Sequence, residues 1–401
     1  MIKRRWMILS KIVFFCIPAH GHTNPTLNVV RQLISEGHTV RYYSYNNMRE
    51  KIEATKAEFI PCDDYDTEQK LSPKDAAKVG KDLAFSTKLL IDTTLALDDK
   101  IYDDMKEFAP DCIVADSMAV WGKAIALKMG IPFISSTTTF AFNEHSAKIL
   151  KQSFKDLLKM IFSMGKINKD IERLKNKGYP INNVLDIIQN NDKTHTIVYT
   201  SPEFQPCSET FSDKYAFVGP SIRPSEDNIE KTKEKLIYIS MGTVNNDMLT
   251  LYKRCLRAFS KTDHQVIMSV GDKISIDDLG KIPDNISVFS HVDQIAVLKK
   301  ADVFISHCGM NSVSESLYFG VPLIMLPQTT EQKGVCERVM QLGAGIKLKK
   351  TDPSSFSDAV EDIIKDERYR KAAVKISESF KRCSGAKGAT DKILKVCKES
   401  I

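Results

Sequence analysis

The segment Ala301–Gln332, ADVFISHCGMNSVSESLYFGVPLIMLPQTTEQ, constrains this chain more than any other. Its apolar run Val303 to Ile305 reads as a buried strand. A short polar turn follows, Ser306-His307-Cys308-Gly309. Asn311-Ser312 then open a helix that carries Glu315 one turn in and ends at Gly320, before Val321-Pro322 begins another strand. A strand, a glycine turn and a helix N-terminus leave backbone N–H groups unpaired at the positive end of a helix dipole, which makes an anion site. A pyrophosphate is expected on the N–H groups of Asn311 and Ser312, with His307 donating to the same phosphates. Glu315 is placed to accept from a ribose hydroxyl pair.

The same strand–turn–helix order runs through the rest of the chain. Lys11 to Ile17 reads as a strand, and Pro25 as a first helical residue. Leu27, Val30, Leu33 and Ile34 recur at helical spacing up to Gly37. HTVRYYS (38–44) is a second strand, Asn47–Lys56 a helix, and Glu58-Phe59-Ile60 a third strand. This βαβαβ beginning predicts a parallel sheet with right-handed crossovers. Asp82–Phe108 reads as a helix, Cys112–Ala115 as a strand ending at Asp116, and Met118–Lys128 as a helix stopped by Gly130. Pro132–Ser135 and Thr196–Tyr199 read as further strands, with a lysine-rich helical stretch, Asn143–Asn190, between them.

Polar, charged Ser221–Lys235 lacks apolar periodicity and reads as a linker and hinge. A second α/β set starts at Leu236–Ile239, with strands near Gln265–Met268 and Ile286–Phe289, and is completed by Gly345-Ile346-Lys347. At 401 residues the chain is too long for one core and suits two domains. We divide it as 1–220, a linker 221–235, a second domain 236–380, and a C-terminal helix 381–401.

Composition narrows the function. A net charge of +6 with scattered lysines leaves no basic arm for nucleic acid, so no nucleic-acid partner is expected. Nine cysteines, odd in number and without a CxxC pair, argue against a disulfide framework or structural zinc and for a cytoplasmic setting. No apolar run reaches the ~18 residues of a membrane span. Lys11 and the short run Ile12–Ile17 make the N-terminus a first strand rather than a signal peptide. Neither GK[ST] nor GxGxxG occurs, which disfavours kinase and NAD(P) readings. One DxD, Asp64-Tyr65-Asp66, lies in a polar loop and reads as a solvated acidic turn rather than a metal site.

The pattern HCGxNSxxE…GVPxxxxPxxxEQ over 307–332 resembles the donor-sugar signature of the UDP-glycosyltransferases, the family 1 glycosyltransferases. The bacterial branch that glucosylates macrolides and plant phenolics is the nearest resemblance. It implies the GT-B fold, two Rossmann-like doubly wound parallel-sheet domains facing a cleft. It also implies an inverting transfer of glucose from a UDP-sugar to a hydroxyl of a small lipophilic acceptor, with no cofactor and no metal, by a monomer or weak dimer. Two other readings compete: a nucleotide-sugar epimerase of similar fold, and a non-catalytic nucleotide-sugar-binding accessory protein.

In open parallel sheets, ligands bind at the carboxyl ends of the strands. His20 and His22, Asp116, Thr243 and His307 all follow strands. Transfer to a hydroxyl needs a base, and an imidazole oriented by a carboxylate suits that task. The residues alone leave His20 and His22 both eligible. The resemblance carries the base onto His22, in Gly-His-x-Asn-Pro, and the orienting carboxylate onto Asp116. It further places Thr243, in Ser-x-Gly-Thr, on the β-phosphate, and Gly309 in the phosphate turn. Gln294, with the Val292 backbone, reads the uracil, and Glu331 with Gln332 holds sugar hydroxyls. His291 and Asp293 depart from the family's Trp and Pro, which leaves UDP against dTDP open.

Overall fold

Among the described residues of this computed structural model, every strand pairs in parallel. Described are 9–65, 72, 82–149, 165, 167–183, 186, 194–242 and 248–399. The first sheet holds β1 (Lys11–Phe15), β2 (Thr39–Ser44), β3 (Glu58–Pro61), β4 (Cys112–Asp116), β5 (Phe133–Thr137), β6 (His195–Val198) and β7 (Tyr215–Phe217), in the order β3-β2-β1-β4-β5-β6-β7. The second holds β8 (Leu236–Ser240), β9 (Gln265–Ser269), β10 (Ile286–Phe289), β11 (Val303–Ser306), β12 (Leu323–Met325) and β13 (Gly345–Lys347), in the order β10-β9-β8-β11-β12-β13.

Each sheet therefore reverses its winding once, between β1 and β4 and between β8 and β11. At these switch points the outgoing connections diverge to opposite faces and leave a crevice at the carboxyl edge.

Parallel strands covered on both faces must be apolar on both. β1 shows this directly. Ile12 and Phe14 face a core built with Val29, Val30 and Leu33 of helix α1 (His20–Ser35). Val13 and Phe15 face the other core, with Ile91, Leu97 and Ile101 of α2 (Leu83–Phe108) and Trp121 of α3 (Val120–Met129). Asp82 caps α2 by accepting from the Phe85 N–H at 3.0 Å. Gly130 ends α3 in the left-handed conformation.

Several expectations shift. α1 starts at His20, not Pro25, and Pro25 lies inside it. The run His-Gly-His-Thr-Asn has weak helix propensity, so nothing local announced that first turn. Asn47–Lys56 is shorter and broken, a 3₁₀ turn Asn46–Met48 followed by a helix Arg49–Glu53. β7 is an unforeseen seventh strand. Of Asn143–Asn190, residues 150–164 and most of 184–193 lie outside the described residues.

The chain divides into two compact units. The first comprises the described residues of Met1–Tyr199, Cys207–Ser221 and Ser384–Ile401, and the second those of Thr200–Pro206 and Ile222–Cys383. Within the first, the last helix, α6 (Gly385–Lys398), packs on the face of the sheet shared with α1.

The polar run 222–235 is mostly exposed, and ion pairs tie it to the rest of the second unit. Arg223 pairs with Asp293, Lys231 reaches Asp302 at 2.6 Å, and Lys299 donates to the Ser225 carbonyl at 2.8 Å. Among the described residues, no helix is long and apolar enough to cross a membrane.

α3 lies so close to the first sheet that a Cβ at Gly122 would sit 2.6 Å from Ala115 Cβ and 2.8 Å from Phe15 Cδ2. Gly122→Ala is expected to destabilise the protein by about 1–3 kcal/mol through overpacking, read as a lower Tm in thermal denaturation. An unchanged Tm would show that α3 has room to shift.

Candidate active site

In the first unit, the chain leaves β1 and enters α1 within four residues, which puts His20 and His22 in the helix's first turn. β4 is hydrogen-bonded to β1, with Phe15 opposite Ala115, so Asp116 ends beside that turn. His22 Nδ1 and Asp116 Oδ2 are 2.8 Å apart. Asp116 is 3% exposed and also accepts the Met118 N–H on Oδ1 at 2.8 Å. A buried carboxylate that accepts one N–H demands further donors. Nδ1 therefore carries the proton toward Oδ2, and the second ring nitrogen, Nε2, holds the lone pair. Thr138 Oγ1, just past β5, lies 3.2 Å from the same Nδ1.

His20 has no such carboxylate. Its Nδ1 lies 3.2 Å from Lys51 Nζ, and burial, then the lysine charge, hold its pKa below the ordinary imidazole value. The structure thus separates two histidines that the residues alone left equivalent. Thr138 was not foreseen; its position past a strand adjacent to β4 was the available signal.

In the second unit, β11 ends at Ser306 and α4 (Met310–Tyr318) starts with Gly309 at its N-cap. Gly309 offers no side chain to cap this helix start, and no acid occupies its first turn. Asn311 and Ser312 lie in that turn, where backbone N–H groups have no intrahelical acceptor. Because β8 pairs with β11, the β8 turn lies against His307. A Cβ on Gly242, whose φ is +78°, would fall 2.5 Å from His307 Cε1, and one on Gly309 would fall 2.7 Å from Nε2. The imidazole occupies the space that two missing side chains leave.

Burial pushes the His307 pKa down to about 4, opposed weakly by the Ser240 backbone. Among the described residues, its buried Nδ1 has no partner in hydrogen-bond geometry. His307 is therefore a neutral imidazole at neutral pH, an N–H donor rather than a cation.

Below this turn, the Gln294 amide donates to the buried Glu315 carboxylate and reaches Ser312 Oγ at 3.5 Å, while Tyr238 OH donates to Gln294 Oε1 at 3.2 Å. Burial raises the Glu315 pKa, and Gln294 and the Arg223 charge draw it back. The predicted base reader and ribose acceptor are thus joined in one network, completed by the unforeseen Tyr238.

His291 is exposed and paired with Asp272 at 2.8 Å. Asp293 caps the short helix Gln294–Leu298 by accepting from the Ile295 and Ala296 N–H groups. Burial works against its charge, but donors on Ser225 and Arg223 hold its pKa below the ordinary carboxylate value. Val292 is half-buried between these two departures.

Gln332 closes a capping box at the start of α5 (Thr330–Gln341), accepting the Thr329 N–H at 3.1 Å while Thr329 Oγ1 accepts from Gln332 N. Its carbonyl oxygen is thereby engaged, leaving the amide N–H groups as the side chain's donors. The Thr-x-x-Gln spacing is the sequence signal for this box. Glu331 is exposed in the same first turn. Thr243 and Asp66 lie outside the described residues. Asp63 of the acidic turn accepts the Asn46 N–H at 3.0 Å. Among the described residues, no group of three or more His, Cys, Asp or Glu could hold a metal ion.

The two switch-point sites define a nucleotide-sugar-type glycosyltransferase architecture, and comparison with known proteins identifies it. Residues 253–384 match the Erythromycin biosynthesis protein CIII-like C-terminal domain. The chain is 31% identical to an uncharacterized UDP-glucosyltransferase of Bacillus subtilis, YojK, over 98% of each chain. It is 33% identical to the NDP-glycosyltransferase YjiC of Bacillus licheniformis, over 95% of this chain and 96% of the relative. A calicheamicin glycosyltransferase structure shares the fold with a TM-score of 0.82 at 24% identity, covering 98% of this chain and 99% of that one. The chain belongs to the UDP-glycosyltransferase family, has the GT-B fold and is a glycosyltransferase.

The depressed His307 pKa has a stability consequence. The unfolded chain takes up this proton near the ordinary value of about 6.5, the folded chain only near about 4. Stability therefore falls as pH drops from about 6.5 to 4. His307→Gln is expected to remove on the order of 2 kcal/mol of that fall, allowing for the ring's partial exposure. Chemical denaturation at pH 7 and pH 4.5 measures it; an equal fall in both proteins would contradict a buried neutral imidazole.

Proposed function

We propose that this glycosyltransferase moves glucose from UDP-glucose to a hydroxyl of a small lipophilic acceptor, such as a phenolic, flavonoid or macrolide, with inversion and without a metal. The observation that carries this reading is the 2.8 Å contact between His22 and Asp116 at the switch point of the first sheet. With Nδ1–H held by Asp116, Nε2 takes the acceptor's hydroxyl proton as its oxygen attacks the anomeric carbon. Asp116 then stabilises the imidazolium. Attack opposite the leaving diphosphate turns an α-linked donor into a β-glycoside.

The leaving diphosphate collects charge, and the α4 N-terminus with neutral His307 supplies donors for it. Asn311 and Ser312 offer the backbone N–H groups, Gly309 the close approach, and Thr243 a hydroxyl. Glu315 takes the ribose hydroxyls in place of its bond from Gln294, freeing that amide for the uracil beside Val292. Glu331 and the Gln332 amide hold sugar hydroxyls. These donors stand in for a cation, which is why no metal is assigned.

Two features support a lipophilic acceptor. Met118, two residues after Asp116, is 47% exposed, and Phe142, past β5, is 51% exposed. Covering such side chains with an apolar ligand removes their surface from water, which favours a lipophilic acceptor. The relatives' printed names support glucose and a nucleoside diphosphate as donor parts. Both are named as transferases, so the epimerase reading is not favoured, and His22 with Asp116 argues against an accessory role. We assign the enzyme to the cytoplasm, as a monomer or weak dimer.

The reading is tested with purified protein, UDP-, dTDP-, GDP- and ADP-glucose, and an acceptor panel read by mass spectrometry. UDP-glucose is expected to be consumed equally with and without EDTA, giving a β-glycoside by NMR. A preference for dTDP-glucose would overturn the donor assignment. His22→Ala and Asp116→Asn are each expected to lower kcat about 10²–10⁴-fold with little change in Tm. Full activity in either variant would remove that residue from the mechanism.

A further inference from the structure

All nine cysteines are free thiols, seven of them buried. Two meet across 285 residues of sequence: Cys112, which opens β4, and Cys397, in the last turn of α6, with sulfurs 3.1 Å apart. They are 0% and 2% exposed. Both belong to the first unit. Neither serves the site described above, since Cys112 lies at the opposite end of β4 from Asp116. α6 is held on the sheet by Ala389, Ile393 and Val396, and no covalent link secures the end of the chain. A disulfide has sulfurs about 2.05 Å apart, so closure requires the two atoms to approach by only about 1 Å.

We propose that Cys112 and Cys397 are an oxidation site, at which a peroxide-class oxidant closes a reversible disulfide that staples the last helix to the sheet carrying Asp116. Cys397 is the attacking thiol. It lies in the last turn of α6, whereas Cys112 is sealed within β4.

The Cys397 thiolate attacks one peroxide oxygen, the O–O bond breaks, and hydroxide leaves to become water. The resulting sulfenic acid is attacked by the Cys112 sulfur as its proton departs, and a second water is released. Two thiols and one peroxide give one disulfide and two waters. The sulfurs lose two electrons and the peroxide gains them.

Access comes from position. Helix ends fray at low cost, α6 ends one residue beyond Cys397, and Glu399 beyond it is exposed. Cys308 and Cys336 form a second contacting pair. Neither lies near a chain end, Cys308 being in the β11–α4 turn and Cys336 mid-way along α5. The same access argument keeps that pair reduced.

The test uses the whole reduced protein, treated with hydrogen peroxide and then alkylated. Thiols counted after denaturation are expected to fall from nine to seven. Tryptic peptide 107–123 should be joined to 396–398, non-reducing gel mobility should increase, and dithiothreitol should reverse all three changes. The oxidised protein is expected to melt about 5 °C higher. Cys397→Ala, and separately Cys112→Ala, should abolish both the joined peptide and the Tm rise. Retention of nine thiols, or oxidation at other cysteines while Cys112 and Cys397 remain alkylated, would overturn the site. A mapped bond without a Tm rise would overturn the stapling.

Discussion

Two neighbouring parallel strands whose connections depart to opposite faces cannot close the space between their carboxyl ends. That constraint operates twice in this molecule, between β1 and β4 and between β8 and β11. Everything chemically distinctive gathers at those edges: the His22–Asp116 contact at the first, and His307 with its two glycines at the second. The strands are apolar on both faces because helices cover both. The strand ends at the switch points are where the candidate catalytic and phosphate-side residues converge. The site is thus a product of how the sheets are wound.

The same side chain does opposite work at the two edges. His22 is paired with a buried carboxylate whose negative charge demands the Nδ1 proton, so the ring can receive another. His307 is equally enclosed but faces no carboxylate within its turn, and burial alone keeps it neutral. A neutral ring offers an N–H donor without adding a charge beside the α4 N-terminus. Residue type is therefore a poor guide to role here. The charge on the next strand decides it.

Much of this was legible locally. The apolar runs at 11–17, 112–115, 236–239 and 303–305 are strands because only a two-sided core calls for such runs, and each appears in the sheets with its ends moved by a residue or two. What escaped was whatever depends on a distant partner. The first turn of α1 has poor propensity, and is helical where its His22 meets Asp116. β7 is three residues long and exists because β6 offers it an edge. The charged run after Ser221 resembles a solvated linker until Asp293 and Asp302 are brought beside Arg223 and Lys231. His291 and Asp293 looked like losses from a nucleotide-binding motif, yet each has acquired a structural partner, in Asp272 and Arg223.

By itself the sequence determined the two α/β units, the strand–turn–helix at 303–318 and the family, because strand periodicity, glycine turns and a long motif are properties of contiguous residues. Tertiary structure decided what the residues without the resemblance left open, which of His20 and His22 holds the carboxylate, and it sealed His307 between glycines. It also joined Gln294 to Glu315, and it brought Cys112 against Cys397. The physical reason is the same in each case. A hydrogen bond or sulfur contact acts over about 3 Å, and strand order, not sequence distance, sets which residues come that close.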